Sequence, residues 1–351
     1  MILAHEEAMP VAKMKAVGLY RYLPISDPES LLDLEVERPR PQGRDLLVQI
    51  QAVSVNPVDT KIRAPKDRVE STPKILGFDA AGIVVETGPE CQWYKPGDEV
   101  FYAGSNVRQG TNAEYHLVDE RIVGRKPKAL SFAEAAALPL TSLTAWEALE
   151  DRLGFSLDPG ANRGTSLLII GAAGGVGSIA TQLAKRAGFT VIGTASRPET
   201  KEWALRHGAD HILDHTRPFR PQLEALGFRD VDAILCLNST DKHWEPMADV
   251  IAPQGKICSI VETSTLLNLE LLFGKSVTFA WELMFTRPRY QTADMARQRD
   301  ILNRVADLVD AGEIQSTMTE HLSPINAENL RKAHAKIESG RTIGKIVLSG
   351  F

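Results

Sequence analysis

The residues with the clearest chemistry form one run, Leu168-Ile169-Ile170-Gly171-Ala172-Ala173-Gly174-Gly175-Val176-Gly177. An apolar strand enters a glycine-rich turn there. An amphipathic helix leaves it, with Ile179, Leu183, Ala184 and Ala187 on one face. Gly174 lets a backbone approach a pyrophosphate, Gly177 lets the helix pack close to the strand, and the helix N-terminus offers N–H donors to phosphate. Ala172 holds the place of the first motif glycine, with Gly171 just before it, so the pattern is a variant. The plainer alternative is a tight turn that binds no nucleotide.

Cofactor choice is read at the end of the next strand. A dinucleotide site for NAD carries Asp or Glu there for the ribose 2′-hydroxyl. This chain has Thr194-Ala195-Ser196-Arg197 and then Lys201. A hydroxyl, a guanidinium and an ammonium suit a 2′-phosphate, and NADPH is the expected cofactor.

Metal chemistry has little support. His207, His211 and His215 recur every four residues, but Gly208-Ala209-Asp210 ends the helix that would have stacked them. His116, His243, His321 and His334 are scattered. The three cysteines, Cys91, Cys236 and Cys258, are far apart and form no CxxC pair, which excludes a disulfide framework and a zinc ribbon. They read as small buried hydrophobes.

The 351 residues, with 43% hydrophobic and 24% charged side chains, suit a globular chain of about two domains. The net charge of −5 comes with no basic tract, so neither nucleic acid nor an anionic membrane is an expected partner. No signal peptide or spanning helix is evident, and a cytoplasmic protein is expected. The first 125 or so residues alternate short β-rich runs with turns such as Pro96-Gly97-Asp98. Ser131-Phe132-Ala133-Glu134 reads as a capped helix start, with Pro139 dividing the helical stretch that follows. From Ser166 six strands alternate with helices: Leu167–Ile170, Thr190–Gly193, His211–Leu213, Asp232–Cys236, Lys256–Ile260 and Ser276–Ala280. That rhythm predicts a doubly wound parallel α/β sheet. A helix over Gln298–Ala311 and a last β run at Gly344–Leu348 are assigned back to the β-rich part.

Gly77-Phe78-Asp79-Ala80-Ala81-Gly82, Pro96-Gly97-Asp98-Glu99-Val100, the glycine loop and Gly344-Lys345-Ile346-Val347 together resemble the medium-chain dehydrogenase/reductases over Met14–Phe351. Asn56-Pro57-Val58-Asp59 is similar to the zinc-independent quinone oxidoreductase branch. Ser54–Lys61 and Trp281–Phe285 resemble the bacterial zinc-type alcohol dehydrogenase-like proteins. The resemblance implies a Rossmann sheet inserted in a GroES-like, mostly antiparallel β catalytic domain. Its expected divisions are a tail at 1–13, catalytic residues 14–140, the NADPH-binding domain at 141–285 and the catalytic remainder at 286–351. Homodimers or homotetramers are common among such relatives.

Departures from the family pattern carry information too. Zinc members have Gly-His-Glu where this chain reads Gly77-Phe78-Asp79, and a ligand Cys where it has Asn56. The structural zinc lobe needs four close cysteines, but Gly88–Gly110 holds only Cys91. No zinc is expected. Without a Lewis acid for an alkoxide, the expected acceptor carries its own electron sink, as quinones, enones and enals do. By resemblance, Asn56 lies near the nicotinamide ribose, and Thr144, at a helix start, meets the phosphates with Gly174, Gly175 and Val176. Ser196, Arg197 and Lys201 hold the 2′-phosphate, and His215 stands against the adenine. Lys61 occupies the place of a common Tyr proton donor and polarises a carbonyl if partly buried. Trp281 and Phe285 are candidate walls of the acceptor pocket. Alternatives are a zinc alcohol dehydrogenase, or a non-catalytic NADPH-binding redox sensor.

Overall fold

The structure, a computed structural model, describes residues 12–351. Of the expected tail, residues 1–11 lie outside the described residues, and Lys13 already opens the first strand. Eight strands come first: β1 (Lys13–Tyr22), β2 (Leu32–Glu37), β3 (Asp45–Val55), β4 (Lys66–Ile75), β5 (Asp79–Thr87), β6 (Glu99–Tyr102), β7 (Tyr115–Asp119) and β8 (Val123–Arg125). Six follow in the middle of the chain: β9 (Ser166–Ile170), β10 (Thr190–Thr194), β11 (His211–Leu213), β12 (Val231–Cys236), β13 (Ile251–Ser259) and β14 (Thr278–Trp281). The last two are β15 (Met318–Leu322) and β16 (Lys345–Ser349).

β9 to β14 form one parallel sheet in the order β11-β10-β9-β12-β13-β14, with helices in the crossovers. The order reverses between β9 and β12, which opens a crevice at the carboxyl ends of those strands. β9 is buried at every residue, as expected of a strand covered on both faces. The crossover helix Gly175–Arg186 buries Ile179, Ala180, Leu183 and Ala184 against it.

The β-rich part is built on β3, whose eleven residues serve two partners on one side. Asp45–Gln49 pair with β7 and Ala52–Val55 with β16, while β5 runs along the other side. Strand β16 therefore carries the C-terminal residues into the same antiparallel sheet as β3 and β5. β1 lies between β2 and β4 in a separate three-stranded sheet.

Between these parts, Ser131 caps the helix Phe132–Ala136 and exchanges hydrogen bonds with Glu134. Pro139 then starts a second helix, Pro139–Trp146, since proline fits the first turn but not a helix interior. The expected helix over Gln298–Ala311 spans Arg297–Asp310. The edge strand expected at Ser276–Ala280 is shifted to Thr278–Trp281.

Candidate functional site

Gly171 leaves β9 with φ +90°, so it makes the turn for which the displaced first motif glycine is needed, and Ala172 behind it is fully buried. A Cβ on Gly177 would lie 2.2 Å from the Gly171 carbonyl oxygen, so helix and strand meet there with no room for a side chain. At Gly174 the nearest atom to such a Cβ is that same oxygen at 3.6 Å, which leaves the N-cap of Gly175–Arg186 open toward solvent. Gly175 faces the neighbouring part of the molecule, where Thr141 and the stem of Lys345 approach it. This cradle fits a pyrophosphate. Thr144 is the sixth of eight residues in Pro139–Trp146 rather than at a helix start, and its hydroxyl donates to the Leu140 carbonyl at 2.8 Å.

Ser196, Arg197, Lys201 and His215 are all half-buried beyond the ends of β10 and β11. The Arg197 guanidinium pairs with Glu199 at 2.8 Å and donates to the Arg341 carbonyl at 2.9 Å. Hydrogen bonds from Thr216 hold the Asp214 carboxyl below its usual range, and Lys201 and His215 beside it act the same way. Burial lowers the His215 imidazole, and Lys242 lowers it further. Along the carboxyl ends of β12 and β13 runs a cleft of about 470 Å³, lined by Asn238, Thr240, Lys242, Val261 and Glu262 among others.

Asn56 caps the helix Pro57–Arg63 and is 1% exposed, so its amide is committed inward. Its Nδ2 donates to Asp79 Oδ2 at 2.8 Å, and its Oδ1 accepts from the Lys345 ammonium. That ammonium also donates to the Val55 carbonyl and to Asp79 Oδ2, each at 3.1 Å. Ser54 donates to the same Asp79 oxygen at 2.7 Å, and the Leu140 N–H reaches the other at 2.7 Å. Asp59 completes the cluster, accepting the Asn56 N–H at 2.8 Å while its second oxygen has no partner. Burial pushes the Asp59 carboxyl up to about 7, against the opposing pull of the Asn56 N–H and Lys345.

The positions at which zinc relatives carry ligands do not fit a metal here. Phe78 packs on Phe285 with ring centroids 4.7 Å apart, and both are buried. Asp79 is spent on Lys345 and Asn56. Among the described residues no group of three or more His, Cys, Asp and Glu is arranged to hold a metal ion. His207, at a helix C-cap, meets the Trp203 carbonyl at 2.8 Å. Cys236 and Cys258 are buried as expected, but Cys91 is half-exposed and donates to the Asp45 carbonyl at 3.2 Å.

The remaining expected site residues lie further out. The Lys61 side chain is 48% exposed and pairs with Glu262 at 3.3 Å across the cleft, so it lacks the desolvation that carbonyl polarisation requires. Trp281 is 46% exposed at the end of the edge strand, with Phe279 as its aromatic partner at 5.0 Å. Sequence reasoning missed Lys345 and the joint role of Asp59 and Asp79. The available signal was a lysine opening an otherwise apolar final strand, Lys345-Ile346-Val347-Leu348.

Comparison with known proteins agrees with this architecture. Residues 42–145 match the alcohol dehydrogenase GroES-like domain, and residues 207–348 match the zinc-binding dehydrogenase model. A zinc-type alcohol dehydrogenase-like protein of Staphylococcus epidermidis is 41% identical over 96% of this chain and 99% of its own. A Rhizobium etli structure described as a zinc-dependent alcohol dehydrogenase protein is 52% identical, with TM-score 0.93 over 97% of this chain and 99% of that one. The Escherichia coli quinone oxidoreductase in complex with NADPH is 26% identical, with TM-score 0.78 over 96% and 100%. No helix among the described residues is long and apolar enough to cross a membrane. The chain belongs to the medium-chain dehydrogenase/reductase superfamily, as an oxidoreductase of its zinc-type alcohol dehydrogenase-like group.

Proposed function

We propose that the protein reduces a quinone or an activated alkene, an enone or enal, with NADPH and without zinc. The observation that carries this reading is the filling of the metal-ligand positions by Phe78, packed on Phe285, and by Asn56, bound to Asp79 and Lys345. Alcohol oxidation needs a Lewis acid to hold the alkoxide, and these side chains offer none. A conjugated acceptor delocalises the charge it receives, so orientation and a few donors suffice.

Bound NADPH supplies the hydride. The open N-terminus at Gly174, Gly175 and Val176 would hold the pyrophosphate, Ser196 would donate a hydrogen bond to the 2′-phosphate, and Arg197 and Lys201 would neutralise it. Thr141, whose methyl lies against Gly175, supports that helix start, while the Thr144 hydroxyl stays on the Leu140 carbonyl. The cleft along the carboxyl ends of β12 and β13 positions the acceptor, and solvent protonates the resulting enolate or quinolate.

The relationship to a quinone oxidoreductase solved with NADPH supports the cofactor and acceptor class. The test is NADPH and NADH oxidation against a panel of quinones, enones and aldehydes, with metal analysis of the same preparation. Tight NADPH binding with no turnover of any acceptor favours the sensor alternative. We also propose a homodimer built on the edge of the parallel sheet. β14 has a single partner, β13, and Trp281, Leu283, Leu269 and Phe273 are exposed in or near it.

A further inference from the structure

Lys345 belongs to the last strand, yet it touches both the β-rich part and the phosphate-binding helix. On the β-rich side all three ammonium protons are used, by the Val55 carbonyl, Asn56 Oδ1 and Asp79 Oδ2. Its side chain is 3% exposed and that of Asp79 is wholly buried. On the other side, a Cβ at Gly175 would lie 2.9 Å from Lys345 Cδ, so the lysine stem rests on the first turn of the phosphate-binding helix. One residue earlier, the Gly344 N–H donates to the Ala173 carbonyl at 3.0 Å, inside the glycine loop itself. Gly344 has φ +56°, and a Cβ there would lie 2.4 Å from the Thr317 carbonyl oxygen, so the approach is available to glycine alone.

We infer that Lys345 is a positioning residue for hydride transfer, fixing the buried Asn56–Asp79 cluster of the β-rich part at a set distance from the glycine loop. The inference rests on the proposed reductase reading. A salt bridge serving stability alone needs neither the Asn56 contact nor a stem laid against Gly175. Three oxygens around one ammonium lock the Asn56 amide in a single orientation, and the stem and the Gly344 N–H fix where the loop lies relative to it. Hydride transfer depends steeply on donor–acceptor geometry, and a misplacement of about 1 Å costs about 10²-fold.

The experiment compares Lys345→Met, Lys345→Arg and the double variant Lys345→Met/Asp79→Asn. The single Met variant leaves Asp79 buried and unpaired, which threatens folding. The double variant removes that charge, Asn56 can reverse its amide to pair with the new Asn, and below about pH 7 the raised Asp59 carboxyl is neutral, so stability is recovered there while the tether is not. NADPH affinity is read by quenching of tryptophan fluorescence, hydride transfer by single-turnover absorbance, and the tether by hydrogen exchange at the Ala172–Gly177 amides. In the double variant we expect a melting temperature near the parent's, an NADPH Kd within about threefold, transfer slowed about 10²-fold and faster loop exchange. Lys345→Arg, which keeps the charge but not the compact three-oxygen fit, is expected to fold and to recover part of the rate.

A double variant with parental transfer rate and parental loop exchange overturns the inference. So does a loss confined to NADPH affinity. If the double variant does not fold, Lys345→Arg decides: a parental transfer rate there counts against positioning. If the parent protein turns over no acceptor, the proposed function fails, while loop exchange still reports on the tether.

Discussion

Asp59 shares a buried site with Asp79 and one ammonium, so the cluster holds two carboxyls against a single positive charge. Its carboxyl rises from 3.8 to about 7 in the folded protein, chiefly through burial. Between those values the folded state binds more protons than the unfolded chain. Stability therefore falls as pH rises from about 4 to about 7 and levels off above. Asp59→Asn is expected to flatten that slope in urea melts taken across the range, and an unchanged slope contradicts the assignment. At the other end of the site, Arg197→Ala and Lys201→Ala should each raise KM for NADPH about tenfold and leave NADH nearly unaffected. Equal losses with both cofactors would mean that these cations hold no 2′-phosphate. The glycine turn and the cations beyond β10 were readable at this scale, because both are local patterns. The Asn56–Asp79–Lys345 cluster was not, because it joins residues 289 and 266 positions apart that no periodicity connects.

Among the elements, the glycine loop divides into packing and binding roles that substitution separates. Gly177→Ala forces a methyl to 2.2 Å from the Gly171 oxygen, and we expect it to cost about 1–3 kcal/mol in thermal or urea unfolding. Gly174→Ala meets nothing closer than 3.6 Å, so stability should shift by no more than about 0.5 kcal/mol while NADPH binding weakens. The reverse pattern would show that the roles have been exchanged. The parallel strands were legible as apolar runs, and the Ser131 cap and the Pro139 break followed from local chemistry. Exact ends were less so. β13 extends from Ile251 to Ser259, well before the expected Lys256, because its early residues run alongside β12 only after tertiary pairing. The place of Thr144 within its helix was likewise set by Pro139 upstream, not by any signal at Thr144 itself.

At the scale of the whole molecule, the pairing of β16 with β3 brings the chain's last strand to the site, so that Lys345 faces the glycine loop. The exposed edge at β14 predicts association. Light scattering should give a dimer mass, and Thr278→Pro or a charge at the exposed Leu283 should convert it to monomer. A parent that is monomeric at micromolar concentration contradicts that edge-to-edge arrangement. The aromatic and polar filling of the would-be metal site is what separates a zinc-free reductase from a zinc alcohol dehydrogenase. The most direct test is NADPH-dependent reduction of quinones and enones by protein stripped with chelator and assayed for zinc in the same sample. Full turnover with no stoichiometric zinc is expected; activity that vanishes with the metal and returns when zinc is added back would overturn the zinc-free reading.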